Sequence, residues 1–224
     1  MDKEDMKPIL FNTLMVQAIL AGQKTMTRRV VKAKPPYTQK QLHERVNYRS
    51  EEDVADDAKN GRYSSVGFWT PWDGYVYHRD CPYNVGDILY VREAWCPVAT
   101  IESWLSDKNL HAYRADYVGK VPWKWHPSIH MPKEAARIFL RVTGVRVARL
   151  QDITEEDSRN EGVKDPYDYQ KPEYYEQPQM RGLEINKSAF AGLWDRINHE
   201  SIYSWDANPW VWVIEFERCE KPNY

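Results

Sequence analysis

The amino-acid sequence predicts an α+β domain organised on a bent sheet or small β-barrel, with short flanking helices and two long inserts. Three features carry this expectation. Strand-like segments recur through the chain, chiefly "NVGDILYVREAW", "ARIFLRVTGVRVARL" and "NPWVWVIEFERC". Short helical patterns with their own caps stand between them. In the longest strand the apolar parity changes: Ile138, Leu140 and Val142 share one face, and the pattern then resumes at Val145 and Val147. A one-residue slip at Gly144 fits a β-bulge or a sharp bend of the kind barrels use at corners. With no internal repeat and no clean boundary, residues 1–224 read as one domain.

The elements follow in order. "KPILF" is short, apolar and bounded by Pro8, a first strand. Asn12 can cap a helix whose apolar face is Met15, Val16, Ile19 and Leu20, and Gly22 stands where a left-handed C-terminal cap is expected. "KTMTRRVV" then has the β-branched content of a strand, which places Lys24 at a helix-to-strand junction. Residues from about 32 to 84 form the first insert, with a helical-looking stretch from Gln39 to Lys59 and the aromatic segment "VGFWTPWDGYVYH". A Gly86–Asp87 turn leads into a strand that sends Leu89, Val91, Glu93 and Trp95 to one face and Ile88, Tyr90, Arg92 and Ala94 to the other. "LHAYRAD" has the pattern of a shorter strand.

Further on, "TEEDSRNEG" is a short helix with Thr154 as cap, acids in its first turn and Gly162 at its end. Residues from about 164 to 185 are rich in Tyr, Gln and Pro and read as a long mobile loop. Phe190, Leu193, Trp194 and Ile197 mark an amphipathic helix, and the final strand is apolar on both faces, hence central.

Composition limits function. A net charge of −2 opposes a broad electrostatic grip on duplex DNA, but leaves room for a nucleoside or a short single strand. Ten Trp and fifteen Tyr against five Phe favour aromatics with a polar edge, which suit ligand stacking and core packing alike. Cys81, Cys96 and Cys219 form neither a disulfide framework nor a zinc pattern. His126 and His130 stand four apart, but Pro127 and Pro132 interrupt any helix that could aim them at a metal. The charged N-terminus is no signal peptide and no window spans a bilayer, so a cytoplasmic location is expected.

The segment "ILAGQKTMTRRVV" sets Lys24 between two threonines, after a glycine and before two arginines. A threonine hydroxyl is a weak nucleophile until a base accepts its proton, and a lysine serves as that base when desolvation or nearby cations lower its pKa. Whichever of Arg28 and Arg29 faces a pocket would push Lys24 toward neutrality. Gly22, Thr25, Arg28 and Arg29 are therefore candidate binding residues around it. A Lys and a Thr on a strand equally suit an ordinary solvated face.

Gly22, Lys24, Thr27 and Arg29 in "GQKTMTRR" resemble the signature of the ASCH domain, a branch of the PUA-like β-barrel superfamily. That signature is G-x-K-x-x-E-x-R, and Thr27 takes the place of its Glu, as in small bacterial ASCH proteins that deacetylate N(4)-acetylcytidine. The Gly86–Asp87 turn, "LQDITEEDSRNEG" and "WVWVIEFER" extend the resemblance over the scaffold but not the inserts. The whole chain is similar to ASCH-type proteins of phages and prophages, a likeness carried by "HPSIHMPKEAARI" and "WDANPWVWVIEF".

The resemblance implies a PUA-like fold and a catalytic set of Lys24, Thr27 and Glu161, with Glu161 orienting the lysine, protonating the leaving amine or binding the base edge. It also implies a nucleoside or short single-stranded RNA as partner, and an amide hydrolysis that needs no metal or other cofactor. Alternative roles are a non-catalytic RNA-binding module, a ribonuclease, or a phage assembly or interaction protein. Arg92 and Glu93 point to opposite faces of their strand, so one of them could face a ligand, or the two could form cross-strand ion pairs. Trp69 and Trp72, in a Gly/Pro-containing segment, are candidates for stacking a base, whereas Trp95, Trp194, Trp210 and Trp212 are expected in the core.

Overall fold

The computed structural model describes residues 6–31, 65–69, 76–97, 111–163, 185–198 and 201–222. In chain order the elements are β1 (Lys7–Leu10), α1 (Thr13–Leu20), β2 (Met26–Val30), β3 (Ser65–Trp69), β4 (Val76–Asp80), β5 (Ile88–Arg92), β6 (Trp95–Pro97) and β7 (His111–Tyr113). They continue with β8 (Phe139–Arg149), α2 (Glu155–Asn160), α3 (Ile185–Ile197) and β9 (Trp210–Cys219). A five-stranded sheet in the order β1-β5-β8-β9-β2 forms the centre, and β3-β4 and β6-β7 are separate two-stranded ribbons. Only the β1–β5 pairing in the central sheet is parallel. The architecture is α+β, with a core made mostly of sheet.

The sheet is bent, as its two edges show. In a flat sheet β1 and β2 would stand about 19 Å apart, four spacings of ~4.8 Å. Instead Arg29 Nη2 on β2 donates to the Leu10 carbonyl on β1 at 2.8 Å. The bend runs through the expected bulge, because the β8–β9 register shifts between Val142 and Gly144. The sheet does not close into the barrel that was one form of the sequence expectation. The two edges share no backbone ladder, because α1 lies in the concavity with Val16 and Ile19 in the same apolar cluster as Leu140, Trp212 and Ile214.

A second cluster covers the opposite face of the sheet near β2, where Phe190 and Trp194 of α3 pack on Met26, Leu150, Val211 and Val213. β9 is buried on both faces from Val211 to Ile214, as a strand between two neighbours must be. Trp95, Trp194 and Trp212 are core residues, and the Arg149 guanidinium lies 3.9 Å from the partly buried Trp210 ring. His126 stacks against Trp95, with ring centroids 5.7 Å apart.

Local signals explain the elements that matter most for function. Asn12 Oδ1 accepts from the Met15 amide at 2.9 Å and starts α1, and Gly22 ends it with φ +72°. Thr154 Oγ1 accepts from the Asp157 amide at 3.0 Å and starts α2, and Gly162 follows its end with φ +79°. Within the first insert, residues 65–69 and 76–80 pair as an antiparallel ribbon. The helical-looking stretch Gln39–Lys59 and the Tyr/Gln/Pro-rich loop from 164 to 184 lie outside the described residues. No helix among the described residues is long and apolar enough to cross a membrane.

Candidate functional site

The turn between α1 and β2 is tight: the amides of Gln23 and Lys24 both donate to the Ala18 carbonyl, at 2.8 and 3.1 Å. This turn directs the Lys24 side chain inward, where it is fully buried. The end of α2 meets it there, and Lys24 and Glu161 form an isolated antiparallel bridge. Lys24 Nζ donates to the Glu161 carbonyl and to its Oε2, each at 2.7 Å. Gly162 makes this approach possible. A Cβ there would lie 2.7 Å from the Ala18 Cβ and 2.9 Å from the Lys24 Cβ, inside any real contact distance.

A second cation holds the other carboxylate oxygen. Arg28 Nη1 donates to Glu161 Oε1 at 3.2 Å, and Nη2 donates to Asp157 Oδ2 at 2.5 Å. Asp157 in turn pairs with Arg146 at 3.3 Å, and Arg146 with Glu215 at 3.5 Å. Alternating charges therefore run from the sealed interior at Lys24 to the half-exposed Arg146 and Glu215. Burying such ions is costly unless each finds opposite charge, which the alternation supplies. Burial draws the Lys24 pKa below its ordinary value, and Arg29 and Arg28 add to this, while Glu161 opposes it.

Beside this cluster lies a cleft of about 420 Å³, open solvent at its mouth included. One wall is Thr27, Arg28, Arg29 and Val30 with Glu161; the other is Phe190, Leu193, Trp194, Ile197 and Asn198, and Met15 of α1 completes it. Thr27 is buried, and its hydroxyl has no hydrogen bond to another described residue. Arg29 faces the concave side, 5.3 Å from the centre of the Phe11 ring, and Lys24 Nζ lies 5.6 Å from the same ring.

The structure thus brings together Lys24, Thr27, Glu161, Arg28 and Arg29. Lys24 lies behind Glu161 and does not itself line the cleft. Gly22 and Thr25 are exposed and shape the turn and the strand entry: the Thr25 amide donates to Asn160 O and its carbonyl accepts from the Phe216 amide, both at 2.8 Å.

Arg92 and Glu93 do not line this cleft, and of the two alternatives the sequence left open Glu93 takes an ion pair, with Arg137. Arg92 Nη2 donates to the Ile129 carbonyl. Glu93 accepts a two-pronged contact from Arg137, at 2.9 and 3.1 Å. Both are held instead by the segment that leads into β8, Arg92 by Ile129 and Glu93 by Arg137. Trp69 ends β3 opposite Val76 with its side chain outside the description, and Trp72 lies outside the described residues.

Sequence reasoning missed Asp157 and the packing role of Gly162. The first was visible only as an acid in a first helical turn, and the second only as a glycine after a helix. Among the described residues no three or more His, Cys, Asp or Glu side chains gather as a metal site would require. Comparison of the chain with protein-family models, curated proteins and solved structures finds no match in any of the three.

Proposed function

We propose that the cleft binds a pyrimidine nucleoside, free or within a short single-stranded RNA, and hydrolyses the amide of an N(4)-acylated cytosine. The observation that carries this reading is the meeting of Thr27 and Glu161 on one cleft wall, with the buried Lys24 bonded to Glu161 from behind. It agrees with the resemblance of "GQKTMTRR" to PUA-like ASCH proteins. In this reaction Thr27 Oγ bonds to the acyl carbon, and its proton passes to the Lys24–Glu161 pair, in which burial lowers the lysine pKa. The carbonyl electron pair moves to oxygen and returns as the bond to N4 breaks, and the Lys24–Glu161 pair returns the proton to N4 through Glu161, its member on the cleft wall. Water then hydrolyses the threonine ester. Glu161, held by Lys24 and Arg28 at its two oxygens, thus orients Lys24 and carries the proton between it and the cleft.

Incubation of the protein with N(4)-acetylcytidine tests the reading, with cytidine and acetate as the expected products. Thr27→Ala is expected to lower the rate by about 10²-fold or more, the scale on which catalytic side chains act. No cytidine at high enzyme concentration removes the hydrolysis. One observation favours a second reading, binding without hydrolysis: Lys24 Nζ bonds to Glu161 at two points and makes no hydrogen bond to Thr27. Binding of single-stranded RNA that weakens with salt and with Arg29→Ala, in the absence of turnover, is the result that selects it.

A further inference from the structure

Side chains of successive strand residues point to opposite faces. Four consecutive residues, Thr27 to Val30, nevertheless line the one cleft. What they share is the edge of β2, the last strand of the sheet. The hydrogen-bond parity shows which backbone groups lie on that edge. Phe216 N–H donates to Thr25 O before the strand and Val31 N–H donates to Trp210 O after it, so in this register Thr27 and Arg29 turn their backbone groups toward β9. Met26, Arg28 and Val30 turn theirs outward, and of these Arg28 and Val30 line the cleft. In this register Arg28 and Val30 take the positions that make no ladder hydrogen bond to β9, and outside the ladder neither backbone bonds to another described residue. The Arg28 side chain adds to this, since its Nε is buried without a hydrogen bond while both Nη atoms are engaged.

From this we infer that the outward N–H and C=O of Arg28 are the recognition element of the cleft, and that they read the donor–acceptor edge of a planar cis-amide-like ring, that is, the N3–N4 edge of a cytosine. The inference deepens the nucleoside reading above and rests on it. The Arg28 N–H would donate to N3, and the Arg28 carbonyl would accept from the exocyclic N4–H. An extended peptide is the other ligand an open strand edge could take. Two features oppose it. The outer edge is already occupied at its start by the Lys24–Glu161 bridge. The run that remains has two outward residues, Arg28 and Val30, and Arg28, beside Glu161 and Phe190, offers a donor and an acceptor for one ring edge. Phe190, whose ring centre is 5.9 Å from the Arg28 guanidinium, and Leu193 supply an apolar wall against which a flat ring can lie.

The test uses the unaltered chain, labelled with ¹⁵N, titrated with cytidine, 3-deazacytidine and N4,N4-dimethylcytidine. The first analogue lacks the N3 acceptor and the second lacks the N4 donors. Cytidine is expected to bind, to shift the Arg28 amide resonance and to slow its hydrogen exchange. Each analogue is expected to bind at least about tenfold more weakly, since it leaves one buried backbone group unmatched. Equal affinity for all three, or an Arg28 amide indifferent to bound cytidine, overturns the edge inference and leaves the nucleoside reading standing. Failure of cytidine itself to bind overturns both.

Discussion

Two glutamates are buried to nearly the same degree, and they sit in different kinds of surroundings. Glu93 is 1% exposed and is met by one arginine, whose remaining N–H groups go to Asp116 at 2.6 and 2.9 Å and whose guanidinium lies 4.0 Å from the Tyr113 ring centre. Every polar end of that network closes on another, and it pins the segment after β7 to the start of β8. Glu161 is 4% exposed and is met by two cations, one on each oxygen, at the wall of a cleft. Burial of a carboxylate thus does not by itself mark a site. What distinguishes Glu161 is the second cation and the cleft alongside, which Glu93 lacks among the described residues.

The sharpest way to break the comparison is to neutralise each glutamate without changing its shape. Glu161→Gln leaves Lys24 and Arg28 buried with one anion fewer between them, and is expected to destabilise by about 3–5 kcal/mol. Glu93→Gln leaves Arg137 with Asp116 and partly in solvent, and is expected to cost about 1.5–3 kcal/mol. Urea denaturation of both variants measures the difference. Equal costs would mean that the second cation adds nothing to the burden at Glu161.

The glycines give the next largest contrast. Gly162 combines φ +79° with a neighbouring Lys24 side chain, whereas Gly22 has φ +72° and nothing within 4 Å of an added Cβ. Gly22→Ala is expected to cost about 1–2 kcal/mol, the price of the left-handed conformation alone. Gly162→Ala adds overpacking against Ala18 and Lys24 and is expected to cost about 2–4 kcal/mol. Thermal unfolding of the pair separates conformational strain from crowding.

The two clusters also differ in how pH acts on them. Burial raises the Glu93 pKa above 4.5, with Arg137 opposing, so the folded chain holds that proton after the unfolded chain has released it. The Glu93 contribution is full below 4.5 and is lost as pH rises through its folded pKa. Lys24 is the reverse case. Its folded pKa lies below 10.5, so the unfolded chain binds the extra proton, and stability gains as pH rises from the folded pKa toward 10.5. The measurement is unfolding free energy against pH for the unaltered chain, Glu93→Gln and Lys24→Met. Each variant is expected to flatten only its own window.

Much of this was legible in the sequence where a local rule decides the outcome. The Asn12 and Thr154 caps, the Gly22 and Gly162 stops, the parity slip at Gly144 and the doubly buried final strand each follow from a few adjacent residues, and the structure has all of them. The placing of Lys24 at a helix-to-strand junction belongs to the same class. The failures are long-range. Whether the sheet closes depends on how α1 fills the concavity, and no local pattern states that. The positions of Arg92 and Glu93 depend on partners 37 and 44 residues further on, Ile129 and Arg137. Asp157 joins the site because Arg28, 129 residues away, reaches it.

The smallest expected effect concerns hydroxyls, and it bears most directly on whether the cleft is built for a ligand. Ser158 is fully buried, and its hydroxyl donates to the Thr154 carbonyl at 2.9 Å. Ser158→Ala removes that bond and is expected to cost about 1 kcal/mol. Thr27 is equally buried, yet its hydroxyl serves no hydrogen bond to another described residue. Thr27→Val, which exchanges the hydroxyl for a methyl of similar size, is therefore expected to change stability by less than about 0.5 kcal/mol. Paired denaturation curves decide it. A cost at Thr27 as large as at Ser158 would show that its hydroxyl works for the fold. A negligible cost, accompanied by loss of turnover of N(4)-acetylcytidine, would show a polar group kept on a buried strand for chemistry alone.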